Sequence, residues 1–206
     1  MNGQPLSANH GFPIRVVVPG ISGCRSVKWL DRITVQTEES SNYYQRRDYK
    51  ILPPEATDKH AAEKYWDISP AIQDMPVNCV IAVPQNGETI TLSTNGTTEV
   101  KGYALPQGDQ GPIANVEVST DEGKTWKNAG LDACSKEKGR WCWTLWRATV
   151  HLNKGENQRI LSRATDAGGN TQPANPQWNL RGVGYNGYGE SRDLRVQQLS
   201  DNGQDM

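Results

Sequence analysis

The 206-residue chain has a single phenylalanine, four cysteines with no CxxC pair, and no excess of either charge. Each shortage excludes something. With 22 Lys and Arg against 23 Asp and Glu, a net charge of -1, the chain lacks the surplus of cations that neutralises nucleic-acid phosphates, so no nucleic-acid partner is expected. No apolar run approaches the roughly 18 residues of a membrane-spanning helix, and no membrane partner is expected; mean hydropathy is -0.73. Met1 to Asn9 is polar and uncharged, without the pattern of a secretory signal or an Arg-rich transit peptide. Cys24, Cys79, Cys134 and Cys142 show no spacing with histidine that would hold zinc and read as small buried or half-buried thiols in a reducing compartment. A Cys134–Cys142 bridge across a hairpin loop stays open, because spacing cannot decide it.

What the chain does have is seven Trp and seven Tyr, aromatics whose polar handles suit half-buried positions. Its charge is also uneven. Residues 10–50 hold seven cations and four anions, net +3, and the other 15 cations and 19 anions follow residue 50, net -4. Anion-binding chemistry is therefore expected in the N-terminal quarter. There Arg15 to Pro19 and Ser26 to Val35 read as strand-like runs joined through Gly20 and Gly23. Asn42 to Pro54 reads as irregular, and Ala56 to Tyr65 as a short helix capped by Thr57.

After Met75-Pro76 the texture changes. Val77–Val83, Thr97–Ala104, Ile113–Ser119, Trp141–Val150 and Gln158–Thr165 are short β-prone runs separated by turn clusters, among them Asp121-Glu-Gly123 and Ala167-Gly-Gly-Asn170. The fold class expected is mainly β, an immunoglobulin-like sandwich just over 100 residues long. In the Trp141 run, Trp141, Trp143 and Leu145 alternate with Cys142, Thr144 and Trp146. Both faces are apolar, as in a strand buried on both sides or one lying in an interface. The tail from Glu190 to Met206 is polar and reads as disordered.

Three clusters could carry chemistry. His10, Arg15, Arg25, Ser26 and Lys28 surround the Gly20/Gly23 turn; cations and close backbone approach are what a phosphate needs, although a solvated basic face has the same composition. Arg46-Arg47-Asp48-Tyr49-Lys50 is either a surface run or a site where cations hold an oxyanion and ease ionisation of the phenol. In Trp178-Asn179-Leu180-Arg181-Gly182 the arginine stem can pack under Trp178 with its head in water.

These same residues resemble the sulfite oxidase family of eukaryotic molybdenum-cofactor oxidoreductases, which also includes assimilatory nitrate reductase. His10-Gly-Phe-Pro-Ile-Arg-Val-Val-Val-Pro-Gly20, Gly23-Cys-Arg-Ser-Val-Lys-Trp-Leu30 and Gln45-Arg-Arg-Asp-Tyr-Lys50 are similar to the end of the family's cofactor domain. Trp141-Cys-Trp-Thr-Leu-Trp146, Asn170-Thr-Gln-Pro173 and Trp178-Asn-Leu-Arg-Gly182 are similar to its dimerisation domain. The likeness runs from about residue 6 to 188. It implies a truncated α+β cofactor-domain segment over 1–74 and an immunoglobulin-like dimerisation domain over 75–188, leaving 189–206 as the polar, disordered tail.

The resemblance also implies roles. His10, Arg15, Ser26, Val27 and Lys28 match positions that hold the pyranopterin of Mo-molybdopterin and its phosphate. Tyr49 matches the active-site tyrosine, and Arg181 the arginine that the dimerisation domain adds to the substrate pocket. A guanidinium can hold the oxygens of sulfite in a fixed fork while leaving its sulfur lone pair exposed. Nitrate reductases usually carry methionine where Arg181 stands and asparagine where Tyr49 stands, so the pair favours sulfite. The implied partners are sulfite and a second copy of the chain, and the implied location is soluble and intracellular, in the mitochondrial intermembrane space or the cytoplasm. The family's thiolate ligand to molybdenum lies upstream of the His10 motif and none of the four cysteines matches it. No metal ligand is therefore assigned, and the 206 residues alone are expected to lack oxidase activity. A nitrate reductase fragment and a non-catalytic dimerising sandwich are the alternatives.

Overall fold

A computed structural model describes residues 1, 3–132 and 139–198. The chain forms two compact units: Met1–Met75 with Gln177–Tyr185, and Pro76–Pro176 with the residues from Asn186 onward. The return of 177–185 to the first unit has no counterpart in the linear division at 74/75.

The second unit is a two-sheet sandwich. Its described strands are β1 (Asn78–Val83), β2 (Thr89–Leu92), β3 (Thr97–Leu105), β4 (Ile113–Ser119), β5 (Lys127–Asn128), β6 (Gly130–Leu131), β7 (Thr144–His151), β8 (Gly155–Asp166) and β9 (Gly189–Gln198). One sheet has the order β1-β3-β7-β6 and the other β2-β9-β8-β4-β5. Every pairing is antiparallel except β2 with β9, which runs parallel with Thr89 opposite Arg195. This is the A-B-E-D and G-F-C-C′ arrangement of an immunoglobulin sandwich, and the expected fold class is borne out.

Period-two burial builds the core. In β7, Thr144, Trp146, Ala148 and Val150 point inward while the intervening residues face out. Trp146, Ala148 and Val150 join one cluster with Val100 and Ala104 of their own sheet and Val116, Val118, Ile160, Ala164, Leu194 and Val196 of the other. The β4–β5 turn forms where expected, with Glu122 at φ 61° and Gly123 at φ 80°. Asp121 holds it by accepting from the Thr125 amide at 2.9 Å and hydroxyl at 2.6 Å.

Two expectations need correction here, and a third lies beyond the described residues. Residues 189–198 are not a disordered tail but strand β9, paired on both sides and burying Ser191, Leu194 and Val196. Asp193 at φ 57° interrupts the strand, so the buried positions 191 and 194 are three apart and alternation is lost. The Trp141 run is not buried on both faces: Trp141, Trp143 and Leu145 are 48%, 59% and 53% exposed. The proposed Cys134–Cys142 bridge lies outside the described residues, since 133–138 are not among them.

The first unit has a different texture. Its helices are single turns, α1 (Tyr43–Arg46) and α2 (Lys59–Ala62), with short 3-10 turns at Ala8–His10, Gly23–Arg25 and Glu63–Tyr65. The expected strands at 15–19 and 26–35 do not form. The two segments share hydrogen bonds from Val16 N to Val27 O and from Leu30 N to Ile14 O, which do not amount to a ladder. Ile33 and Val35 stay 73% and 95% exposed. The helix expected over 56–65 is a short α-turn running into a 3-10 turn, and its cap is Asp58, whose carboxylate accepts from Ala61 N at 2.8 Å, rather than Thr57. Leu52, Ala56 and Ala62 form a small core with Tyr65, Trp66 and Leu180 packed on it.

Candidate functional site

The first unit brings two clusters into being. In the first, the 3-10 turn at Ala8–His10 ends on Gly11 at φ 107°, where a Cβ would press on Lys28 Cβ at 3.0 Å and Arg15 Cβ at 3.2 Å. Glycine is needed for both reasons. Arg15 crosses between the two segments, donating from Nη1 to His10 O at 3.2 Å and from Nη2 to Ser26 O at 3.0 Å. Ser26 Oγ accepts from Val18 N at 3.1 Å, and Val27 contributes its carbonyl while its side chain stays exposed. Lys28 Nζ donates to Asn9 O at 3.0 Å and sits 4.6 Å from the Trp29 ring centroid. His10 Nδ1 meets Ser7 Oγ at 2.6 Å.

The sequence-derived group His10, Arg15, Ser26, Val27 and Lys28 is thus one knot of chain. Arg15 spends its terminal nitrogens on backbone carbonyls, and its Nε is buried with no partner among the described residues. Arg25 stands apart from this knot, donating to Ile72 O at 3.2 Å. Ile72 in turn donates from its amide to Tyr49 O at 2.8 Å, so the segment around Ile72 links the Gly23 turn to the second cluster.

That second cluster begins at α1, where Asn42 Oδ1 accepts from Tyr44 N at 2.9 Å. The chain then turns through Tyr49 at φ 41°, a conformation a non-glycine residue adopts only when its surroundings hold it there. Asp48 Oδ1 accepts from the Tyr49 amide at 2.8 Å and also receives Arg181 Nη1. Burial pushes the Asp48 carboxyl up, but the Tyr49 amide and the Arg181 guanidinium outweigh it and hold the carboxyl below its usual value. Arg181 is presented by a loop that Asn179 closes, accepting from Val183 N at 3.1 Å and donating to Val183 O at 3.0 Å.

Trp178 is 55% exposed, and the Arg181 guanidinium lies 5.9 Å from the Trp66 ring centroid. The Arg46–Lys50 run is not simply a solvated surface, because Lys50 is 3% exposed and donates to Trp66 O at 2.6 Å. A pocket of about 600 Å³ opens beside Arg181, lined also by Arg47, Asp48, Lys59, Trp66 and Leu180. Tyr49 adjoins Asp48 but is not part of that lining. Sequence reasoning missed Asp48 as the partner of Arg181, although its place between Arg47 and Tyr49 was a usable signal. It missed Trp66 and Lys59 because nothing in their spacing marks them.

Residues 69–191 match the family model of the Mo-co oxidoreductase dimerisation domain, and residues 1–44 that of the oxidoreductase molybdopterin binding domain. The chain belongs to the Mo-co oxidoreductase dimerisation domain family. The sulfite oxidase resemblance is borne out as well: the chain is 44% identical to the mitochondrial sulfite oxidase of Homo sapiens over 91% of its own length and 34% of that protein. It is 38% identical to an inducible NADH nitrate reductase of Glycine max over 88% of its length and 21% of that protein. Among solved structures, the sulfane dehydrogenase SoxCD of Paracoccus pantotrophus superposes with a TM-score of 0.71 at 26% identity, covering 91% of this chain and 45% of that one. The chain spans about a third of the length of the sulfite oxidase it matches.

The first cluster lies within the molybdopterin-binding match. Its chemistry fits the phosphate end of that cofactor: a lysine with donors to spare, a histidine, and a guanidinium whose buried Nε has no partner. Among the described residues, no group of three or more His, Cys, Asp or Glu is placed to hold a metal ion. No helix among them is long and apolar enough to cross a membrane.

Proposed function

We propose that this chain is the C-terminal part of a molybdenum enzyme that oxidises sulfite to sulfate. The observation that carries the reading is Arg181, delivered from far along the chain to the Asp48-Tyr49 corner and ion-paired there. When bound, the molybdenum pyranopterin supplies the two-electron redox and oxygen-transfer chemistry. Lys28, His10 and Arg15 hold its phosphate and pterin edge. Arg181 offers two parallel N–H donors to the oxygens of a small sulfur oxyanion, and Asp48 fixes the plane in which that fork is presented. Tyr49 holds or passes a proton at its hydroxyl, positioned by the backbone bonds on either side of it.

The decisive test is Arg181→Met in the full-length protein. It should lower kcat/KM for sulfite by about 10²-fold, the scale on which removal of one preorganised donor acts. Unchanged sulfite turnover, or nitrate turnover exceeding that of sulfite in the parent, would overturn the reading.

The proposal extends to a homodimer through the sandwich. Trp143 stacks on Tyr103 with ring centroids 4.7 Å apart, yet Trp143, just before β7, and Leu145, on the outer face of β7, remain more than half exposed. Apolar aromatic surface of this kind is what subunit interfaces cover. Sedimentation of Trp143→Lys should give a monomer where the parent gives a dimer, and a dimer that persists unchanged would remove this face from the interface. The human relative is named mitochondrial; the same compartment is proposed here and is testable by fractionation.

A further inference from the structure

We propose that the pocket beside Trp66 binds an organic oxyanion, with its charged head between Lys59 and Arg181 and a flat apolar body against Trp66 and Leu180. The inference rests on the reading above only in taking the Arg181 side as anion-binding; it concerns what the pocket holds and not the redox step.

Charge pairing in the pocket is the first argument. Three cations line it, Arg47, Lys59 and Arg181, together with Asp48 and Glu63. Arg47 is engaged by Glu63 at 3.3 Å and by Asp67 at 3.7 Å, and Arg181 by Asp48. Lys59 has no ion pair among the described residues, so its ammonium is the net charge left for a ligand. A flexible, compact point charge of this kind captures an anion without imposing fork geometry.

Size and wall chemistry are the second. A volume of about 600 Å³ falls in the range of roughly 300–1,000 Å³ typical of sites for drug-sized ligands, far beyond what a four- or five-atom oxyanion fills. Trp66, Leu180 and Ala62 supply an apolar side, and the Leu52, Ala56 and Ala62 core beneath keeps Trp66 and Leu180 in place. Arg181 against the Trp66 ring leaves a cation next to an aromatic wall, the pairing that suits an aryl sulfonate or carboxylate better than a bare inorganic ion.

The test is a titration of the 206-residue chain with benzenesulfonate, sulfate and neutral benzyl alcohol, followed by amide shifts and saturation-transfer NMR. Benzenesulfonate should bind about ten-fold more tightly than either comparison ligand, a gap of one decade in Kd, and should move the amides of Lys59 to Trp66 and of Arg181. Lys59→Gln, at an exposed position, should weaken benzenesulfonate several-fold and flatten its salt dependence, with near-UV circular dichroism unchanged. Trp66→Leu should bring benzenesulfonate down to the affinity of sulfate. Equal binding of sulfate and benzenesulfonate, shifts confined to other residues, absence of binding, or a Lys59→Gln variant with unaltered affinity would each overturn the proposal. Because the readout is binding alone, failure here leaves sulfite turnover by the full-length protein as a separate question.

Discussion

Leu194 is the sharpest test of whether β9 belongs to the cooperative core. It has no exposed surface and packs into the cluster drawn from both sheets. Leu194→Ala removes its contacts and leaves a cavity, at a cost in the range of about 2–5 kcal/mol. Because β9 is pinned on one side by β2 and on the other by β8, the site has little freedom to collapse, and about 3 kcal/mol is a fair central value. The sandwich has roughly 120 residues. At about 2.1 cal/mol/K per residue its unfolding entropy is near 0.25 kcal/mol/K, so the substitution should lower Tm by about 12 °C. Arg192→Ala in the same strand, where the side chain is exposed, should stay within about 0.5 kcal/mol and about 2 °C of the parent. Thermal melts of the purified chain by far-UV circular dichroism separate these outcomes. A Leu194→Ala protein that melts within about 2 °C of the parent would show that residues 189–198 do not take part in the fold as described.

Asp48 is held below the usual carboxylate value of 3.8 despite its burial, so it contributes stability that is present above that value and is lost as pH falls through its lower folded value. Asp48→Asn should remove this acid limb, the loss of stability in urea unfolding curves as pH falls below the usual carboxylate range. It should cost no more than about 1 kcal/mol at neutral pH because the pair is partly solvated; an unchanged acid limb would count against the pairing. At the β4–β5 turn, the Thr125 hydroxyl and amide, together with Ser119, draw the Asp121 carboxyl down to about 2. Thr125→Val should move it back toward 3.8 in a carbon-13 titration, and a carboxyl that still titrates near 2 would remove Thr125 as the cause. Gly102 has no room for a side chain, since a Cβ there would stand 2.0 Å from Val80 O and 2.4 Å from Trp146. Gly102→Ala should cost about 3 kcal/mol or more, at the upper end of overpacking, and a chemical-denaturation midpoint equal to the parent's would contradict the packing.

Much of the sandwich was legible because its strands obey period two. β4 coincides with the expected Ile113–Ser119 run, and β3 extends the expected Thr97–Ala104 run by one residue. β9 was not legible, because Leu194 and Val196 are its only large apolar residues and the kink at Asp193 breaks their alternation with Ser191. β2 was missed because its four residues carry only Ile90 and Leu92 inward. In the first unit the β-branched runs suggested strands, but propensity without a paired neighbour does not make a ladder. The Gly20/Gly23 turn and the motifs around His10 and Tyr49 could be read directly, since they depend on local residue types.

The sequence by itself determined the β texture after residue 76, the charge division at residue 50 and the residue types of both clusters, because these are local properties of the chain. Only the tertiary structure decided that Arg181 pairs with Asp48 and faces Trp66, that Lys50 is buried on a backbone carbonyl, and that Lys59 lines the same pocket with no ion pair among the described residues. Those facts depend on which distant segments meet, and an ion pair spanning 133 residues of sequence leaves no periodic trace in either segment that forms it.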